Sequence, residues 1–461
     1  MNINSSDSFK KVWLMHLTFV SPIFLFSCSK DDKPTSTIVT PTTFVSAAAV
    51  IDSMRTGFNL GNTFDYALQS TNPTTIYPII DLYANAGMKH IRIPVTWMDG
   101  FGGNTIADAS GNINFSHPRF IQLKAVIDYA INKKMFVVLN THHEHWLNNN
   151  YNGTAQFNAP FTNLWTGIAT HFQDYSHLLI FEVLNEPHGV FGDWNGGANP
   201  SNITALALTR QINKVGYDAI RATGGRNTNR VVMISTNGMG NHNQLDDVYP
   251  SIASLPGSGS DRYLSFHVHT YDPWAFCGQT GSNTSWPGSS SIANSLITVS
   301  NYAETLNVPV NYGEFGVGRD ANPSERNSNI VREYYRTMRL TCLSEKMSPT
   351  VWDDRGWFGL VNTNGNNFLQ RGEDLFRNYL LGYTSRSIYT GQLEGINQLN
   401  SANSIDWVAG YNYMYQSEPD LRRFRTIKDA ENPNSVYEMI DPASSNLFDT
   451  GRYFGTLKEY S

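Results

Sequence analysis

Leu179-Ile180-Phe181-Glu182-Val183-Leu184-Asn185-Glu186-Pro187 is an apolar run that breaks abruptly into amide, carboxylate and proline. Such a run reads as a buried strand that delivers its polar groups at the C-terminal end. The pattern recurs on both sides of it. Candidate strands lie at 56–62, 90–95, 136–141, 179–185, 231–236, 263–269, 309–314 and 349–353. Between them, Ile76, Ile79, Ile80 and Tyr83 before Gly87, and Ile121, Leu123, Val126, Ile127 and Ala130 after His117-Pro118, repeat with helical period. Eight strand–helix units over residues 45–382 predict an α/β fold, the (β/α)8 or TIM barrel. A doubly wound open sheet is the competing arrangement, but no glycine-rich phosphate loop follows any of these strands.

The rest of the chain and its composition frame that barrel. Only 16% of residues are charged, 13% are aromatic and the net charge is −6. Phosphate neutralisation needs clustered Lys and Arg, so a nucleic-acid partner is excluded. A neutral, hydroxyl-rich ligand fits better. At the N-terminus, Lys10 and Lys11 precede an apolar run from Val12 to Phe26 that ends in Leu25-Phe26-Ser27-Cys28. The run is too short to span a bilayer comfortably and has the length of a signal-peptide core. Its end resembles a bacterial lipobox, which implies a signal peptide over 1–28 and lipidation of Cys28. Residues 29–44, rich in Pro, Thr and Ser, read as a flexible tether. Ser29 after the cysteine resembles outer-membrane sorting, and Lys30-Asp31-Asp32-Lys33 resembles the surface-export signal of Bacteroidetes lipoproteins. The expectation is an exported monomer whose only membrane attachment is that lipid. Cys277 and Cys342 remain, and two cysteines so far apart give no disulfide framework to read.

In such a barrel the chemistry sits at the C-terminal strand ends. Two carboxylates each close an otherwise apolar strand, Glu186 on the fourth and Glu314 on the seventh. Two glutamates across a barrel mouth can address one bond from both sides, as in a retaining glycosidase with carboxyl groups about 5 to 5.5 Å apart. One must stay protonated near neutral pH while the other is ionised.

Asn185-Glu186-Pro187 and Tyr312-Gly313-Glu314-Phe315-Gly316 resemble the acid/base and nucleophile motifs of glycoside hydrolase family 5, the cellulase family. Ile91-Arg92-Ile93-Pro94-Val95, His142-His143, His269-Thr270-Tyr271 and Trp352-Asp353 extend the likeness to every barrel strand except the fifth. The resemblance implies Glu186 as proton donor and Glu314 as nucleophile. Arg92 would lie beneath Glu314 and hold it ionised. Asn185 would meet the sugar 2-hydroxyl, Tyr271 would hydrogen-bond the nucleophile, and His142 and His269 would complete the polar surroundings. Trp352 would form the floor under the sugar, with Asn62 and His143 as contacts in neighbouring subsites. No cofactor is implied.

Seven tryptophans fall in loops or strand ends at the same mouth: Trp97, Trp146, Trp194, Trp274, Trp286, Trp352 and Trp357. This bias suggests sugar platforms along a groove, Trp146 and Trp274 among them, whereas Trp165 reads as core. His142, His143, His145, His267 and His269 are also the donors of a possible zinc site, the rival reading. Metal-dependent barrel hydrolases usually need a His-x-His on strand one, which is missing, so no metal is expected. Residues 383–461 have no place in the eight-unit scheme and form a C-terminal extension that the sequence does not assign. The function expected is endo-acting hydrolysis of β-1,4-glucan by double displacement. Mannan, xyloglucan or mixed-linkage glucan are the alternative substrates, and a surface glycan-binding lipoprotein the non-enzymatic alternative.

Overall fold

A computed structural model describes residues 44–460, apart from 67, 100–104, 321–322, 363–364, 366, 370–377, 382–384, 402, 428–437 and 440–450. The signal segment, Cys28 and the tether up to residue 43 therefore lie outside the described residues. Eight parallel strands close into a barrel in sequence order: β1 (Gly57–Asn59), β2 (His90–Ile93), β3 (Phe136–Asn140), β4 (Leu179–Glu182), β5 (Val232–Ser235), β6 (Leu264–Thr270), β7 (Val310–Phe315) and β8 (Ser348–Val351). All eight are buried along their length, as a parallel sheet covered by helices requires.

Helix α1 (Ala47–Met54) precedes the first strand. Its Ala47, Val50, Ile51 and Met54 pack with Phe136, Val138, Ile180, Val231 and Met233 in an apolar cluster separate from the main core. The crossover helices start where the sequence supplies caps. Asn72 caps α2 (Pro73–Asn85) and His117 caps α3 (Pro118–Asn132), each followed by proline at the first helical position. Then come α4 (His145–Asn150), α5 (Ala155–His171) and α6 (Ile203–Ala222), the last capped by Asn202. Two single turns, α7 (Leu245–Val248) and α8 (Trp274–Cys277), lead to α9 (Ser289–Thr305) and α10 (Asn329–Ser344).

Several strands end earlier than the apolar runs suggest, β1 and β4 by the most. β4 stops at Glu182 rather than Asn185, although Val183 N still donates to Met233 O and Asn185 N to Thr141 O. The chain leaves the ladder while remaining tied to both neighbours, so Asn185 and Glu186 lie in a held loop rather than in a strand. β1 stops at Asn59 because Asn62 has φ 55° and the Asp65 carboxylate accepts from the backbone N–H of Asn62 and Thr63, forming a turn. Glu314, by contrast, lies within β7. The pairing slips there, Val268 opposite Tyr312 but His269 opposite Glu314, and Gly313 is the extra residue. A Cβ at Gly313 would sit 1.7 Å from His267 Cε1, so only glycine lets the chain bulge against that ring.

The C-terminal segment contains its own antiparallel sheet. β10 (Ser385–Asn400) pairs with β11 (Asn403–Ile427), which also pairs with β9 (Asn378–Leu381), β12 (Glu438–Met439) and β13 (Gly451–Tyr460). Cys277 and Cys342 are both buried free thiols. No helix among the described residues is long and apolar enough to cross a membrane.

Candidate active site

Strand register brings a ring of polar residues into the barrel. Asn59 lies opposite Arg92, Asn140 opposite Glu182, and His267 opposite Asn311. All six are buried at 0 to 1% exposure. Buried polar groups must find partners, and Arg92 is their hub. Its Nε donates to Glu182 Oε2 (2.6 Å), its Nη2 to Glu182 Oε1 (2.7 Å) and Asn185 Oδ1 (2.6 Å), and its Nη1 to Asn59 Oδ1 (2.9 Å) and Glu314 Oε1 (2.7 Å). A guanidinium has five N–H donors, and all five are used.

Glu182 was not among the residues expected at the site, yet it takes the two-pronged contact of Arg92. Burial works against its charge, but Arg92, with help from His267 and Asn140, holds Glu182 down at about 2. This corrects the expectation for Glu314. Burial pushes the Glu314 carboxyl up, and the nearby Glu186 adds to that, while His269 and the shared Arg92 pull it down without reversing the direction. Arg92 thus contributes its charge to Glu314 without bringing it below the ordinary carboxylate range. Tyr271 OH donates to the other oxygen, Oε2, at 3.0 Å. Arg92→Met is expected to cost about 3 to 5 kcal/mol in chemical denaturation, because Glu182 is left as an uncompensated buried charge.

Glu186 reaches the same space from the loop after β4, and its ion-pair partner among the described residues is His269 rather than an arginine. Burial pushes its carboxyl up to about 7, with Glu182 adding to the rise and His188 and Arg92 opposing it. One oxygen lies 2.9 Å from His269 Nδ1. His269 therefore meets the expected acid rather than the nucleophile, whose Oε2 is 3.8 Å away. Ligand atoms of Glu186, His269 and Glu314 all lie within 4.8 Å of one another, so the two carboxyl groups face each other closely.

A cleft of about 760 Å³ opens over this pair, lined by Tyr66, His142, His143, Trp194, Trp274 and Trp352 among others. His142 is set from behind: Asn140 Oδ1 accepts from Val95 N, which turns its amide nitrogen towards His142 Nδ1 at 3.1 Å. The Trp352 ring lies parallel to His142 at 6.0 Å. His143 stands against Tyr66 (4.2 Å), and burial lowers it to about 3.

The tryptophans divide. Trp194, Trp274 and Trp352 line the cleft, and Trp357 is 46% exposed. Trp97 is fully buried with Nε1 donating to Asn140 O, and Trp146 turns inward to give its Nε1 to Glu144 Oε2 while stacking on Phe157. Trp286 packs on Phe276 and Tyr334. These three are scaffold rather than sugar platforms, and Trp165 is core as read. Asn62 is likewise absorbed in its turn. Tyr66, Phe358 and Asn195 line the cleft without having been singled out. Two residue sets could offer metal donors, Asp65 with His142 and His143, and Glu186 with His269 and Glu314. Several of their donor atoms are already engaged: Asp65 by backbone N–H groups, His142 Nδ1 by Asn140, and both Glu314 oxygens by Arg92 and Tyr271.

The model of the cellulase family, glycosyl hydrolase family 5, matches residues 52–354. Endoglucanase A of Clostridium longisporum is 32% identical over 355 residues, 70% of this chain but only 63% of that enzyme's length. Among solved structures, a broad-specificity endoglucanase from Ruminococcus champanellensis with bound cellotriose has a TM-score of 0.59 at 26% identity, covering 73% of this chain and 100% of that one. A family 5 xyloglucanase from Paenibacillus pabuli has a TM-score of 0.60 at 25% identity, covering 70% and 97%. With its closed eight-stranded barrel and a match across the catalytic strands, the chain belongs to glycosyl hydrolase family 5, the cellulase family, and is a glycosidase.

Proposed function

We propose that the protein hydrolyses internal β-1,4-glucosidic bonds of cellulose or a related β-glucan, with retention of configuration and without a metal. The observation that carries the reading is the facing pair, with ligand atoms of Glu186 and Glu314 within 4.8 Å, short for an inverting enzyme that must fit a water between its carboxyls. Glu314 receives two donors that stabilise negative charge. Glu186 receives no such cation and is pushed towards the neutral acid.

In the first step the Glu314 carboxylate attacks the anomeric carbon. The glycosidic C–O bond breaks and the leaving oxygen takes the Glu186 proton. In the second, water attacks the same carbon and gives a proton to Glu186 as the bond to Glu314 breaks. Arg92 binds the Asn185 oxygen, so the Asn185 NH2 is the group left to meet the sugar 2-hydroxyl. Trp194, Trp274 and Trp352 supply flat faces for sugar rings. Two relatives named for broad specificity and for xyloglucan favour a branched or mixed-linkage β-glucan as the second reading.

A reducing-sugar and viscosity screen on carboxymethyl-cellulose, barley β-glucan, xyloglucan, mannan and xylan tests this. Viscosity should fall ahead of new reducing ends on a β-glucan; inactivity of the folded protein on all five would leave a glycan-binding role instead. Because Glu186 must be protonated in the first step, kcat/KM should fall about tenfold per pH unit above about 7. The acid limb should lie above the ordinary carboxylate range, since Glu314 is also raised. Both limbs belong to the coupled pair. The lipobox-like Leu25-Phe26-Ser27-Cys28 supports anchoring of a monomer to the outer membrane, facing outward. Cys28→Ser should move the full-length protein from the membrane to the soluble fraction, and retention in the membrane would contradict the anchor.

A further inference from the structure

Behind the acid/base carboxyl runs a file of hydrogen bonds that the chemistry above does not use. Glu186 Oε1 lies 2.9 Å from His269 Nδ1, His269 Nε2 lies 2.7 Å from His267 Nε2, and His267 Nδ1 lies 3.0 Å from Asn311 Oδ1. The file crosses from the β4 loop through β6 to β7, and its last three members are at most 1% exposed. We propose that Asn311 and His267 are positioning residues that fix the tautomer of His269, so that His269 Nδ1 turns a lone pair to Glu186 and keeps that carboxyl protonated.

The polarity of the file follows from its far end. The Asn311 amide nitrogen donates to Ser348 O at 2.9 Å, and a carbonyl can only accept. Ser348 Oγ and Thr350 Oγ1 lie on the same side, at 2.8 and 3.2 Å. The Asn311 oxygen therefore faces His267, whose Nδ1 must carry hydrogen. A neutral His267 then has a lone pair on Nε2, and the close Nε2–Nε2 contact requires hydrogen on His269 Nε2. A neutral His269 in turn has its lone pair on Nδ1, and the only proton for its contact with Glu186 comes from the carboxyl. Reversing one link reverses all of them.

Burial keeps both imidazoles neutral. It lowers His269 to about 4 and His267 well below its ordinary value, whereas Glu186 rises to about 7, so the shared proton belongs to the carboxyl. The surrounding charges do not overturn this. Glu182 Oε1, 3.3 Å from His267 Nε2, pulls hydrogen towards that nitrogen, but it already accepts from Arg92 and Asn140. Glu314 is 3.8 Å from His269 Nδ1 and favours a cation there, while Arg92 and His142 oppose one. His188, Tyr66 and Tyr271 are further titratable groups near Glu186, and His142 and His143 line the same cleft. The His267 ring has little freedom to turn, being clamped over Gly313, where even a Cβ would overlap it.

The inference rests on Glu186 being the acid, and paired variants separate the two claims. His267→Met removes the acceptor at similar volume, freeing His269 to offer an Nδ1–H that stabilises ionised Glu186. The alkaline limb of kcat/KM on β-glucan should move to lower pH by about one unit. His267→Gln can donate to Asn311 Oδ1 and accept from His269 Nε2–H, so its limb should stay with the parent enzyme. A merely structural role would lower activity or Tm in both variants without moving the limb. An unmoved limb in His267→Met, or equal shifts in both, overturns the proposal. If Glu186→Gln leaves the alkaline limb in place, it is the assignment of the acid that fails. Should His267→Met not fold, 15N chemical shifts of the unmodified protein below pH 7 decide: His269 protonated on Nε2 with bare Nδ1 supports the proposal, and hydrogen on Nδ1 overturns it.

Discussion

Glu314→Gln is expected to abolish turnover of β-glucan, lowering kcat by roughly 10⁴-fold or more, the scale on which removal of a covalent nucleophile acts. The substitution keeps the shape of the side chain and one acceptor oxygen. It removes the negative charge that must become the bond to the anomeric carbon. The protein should still fold, because Arg92 retains its bidentate partner Glu182 and its contacts with Asn59 and Asn185. The test is kcat on the best substrate of the polysaccharide screen, alongside a thermal denaturation curve. A well-folded Glu314→Gln enzyme with more than about a hundredth of the parental rate would remove Glu314 from the reaction.

Glu186→Ala is expected to divide substrates by their leaving groups. On polysaccharide the departing sugar hydroxyl needs a proton, and kcat/KM should fall by about 10² to 10⁴-fold, the usual worth of general acid catalysis. On an aryl cellobioside with an acidic phenol as leaving group, the first step needs no proton, so kcat/KM should change far less. The second step loses its base, so the glycosyl-enzyme should accumulate and appear as a burst of phenol followed by slow turnover. Equal losses on both substrates would mean that Glu186 positions the substrate rather than protonating the leaving oxygen. The loss of the alkaline limb near pH 7 should accompany the variant, because the group responsible for it is gone.

Much of this was legible because apolar strands and their breaks are written directly in the chain. Eight short apolar runs separated by helical periodicity sufficed for the barrel, since a buried parallel strand tolerates few alternatives. Glu186 and Glu314 could be picked out because a carboxylate at the end of such a run has no structural use in the core. What the chain did not display is direction. Trp97, Trp146 and Trp286 follow strand ends just as Trp194 and Trp274 do, and only the fold turns the former inward onto Asn140, Glu144 and Phe276. Glu182 was passed over because it is embedded in an apolar run of sequence, with Val183 and Leu184 after it, instead of ending one. A charge at an inward position of β4 is itself a demand for a partner, and Arg92 on β2 was the available cation. Asn311 went unremarked, and His267 was read only as a possible zinc donor, for a related reason. They neighbour one another only through the register of β6 and β7, and the bulge at Gly313 that then brings Glu314 opposite His269 has no signature beyond a glycine in a strand.

Covalent trapping addresses the central claim, that Glu314 forms a glycosyl-enzyme on the retaining pathway. Incubation with a 2-deoxy-2-fluoro-β-cellobiosyl fluoride, followed by protease digestion and mass spectrometry, reads it directly. The fluoride leaves without help from an acid, and the 2-fluoro group slows hydrolysis of the intermediate by destabilising the oxocarbenium-like transition state. The expected result is one sugar adduct per protein, on the peptide that carries Glu314. An adduct on another carboxylate, or none from an enzyme that is active on β-glucan, would contradict the account.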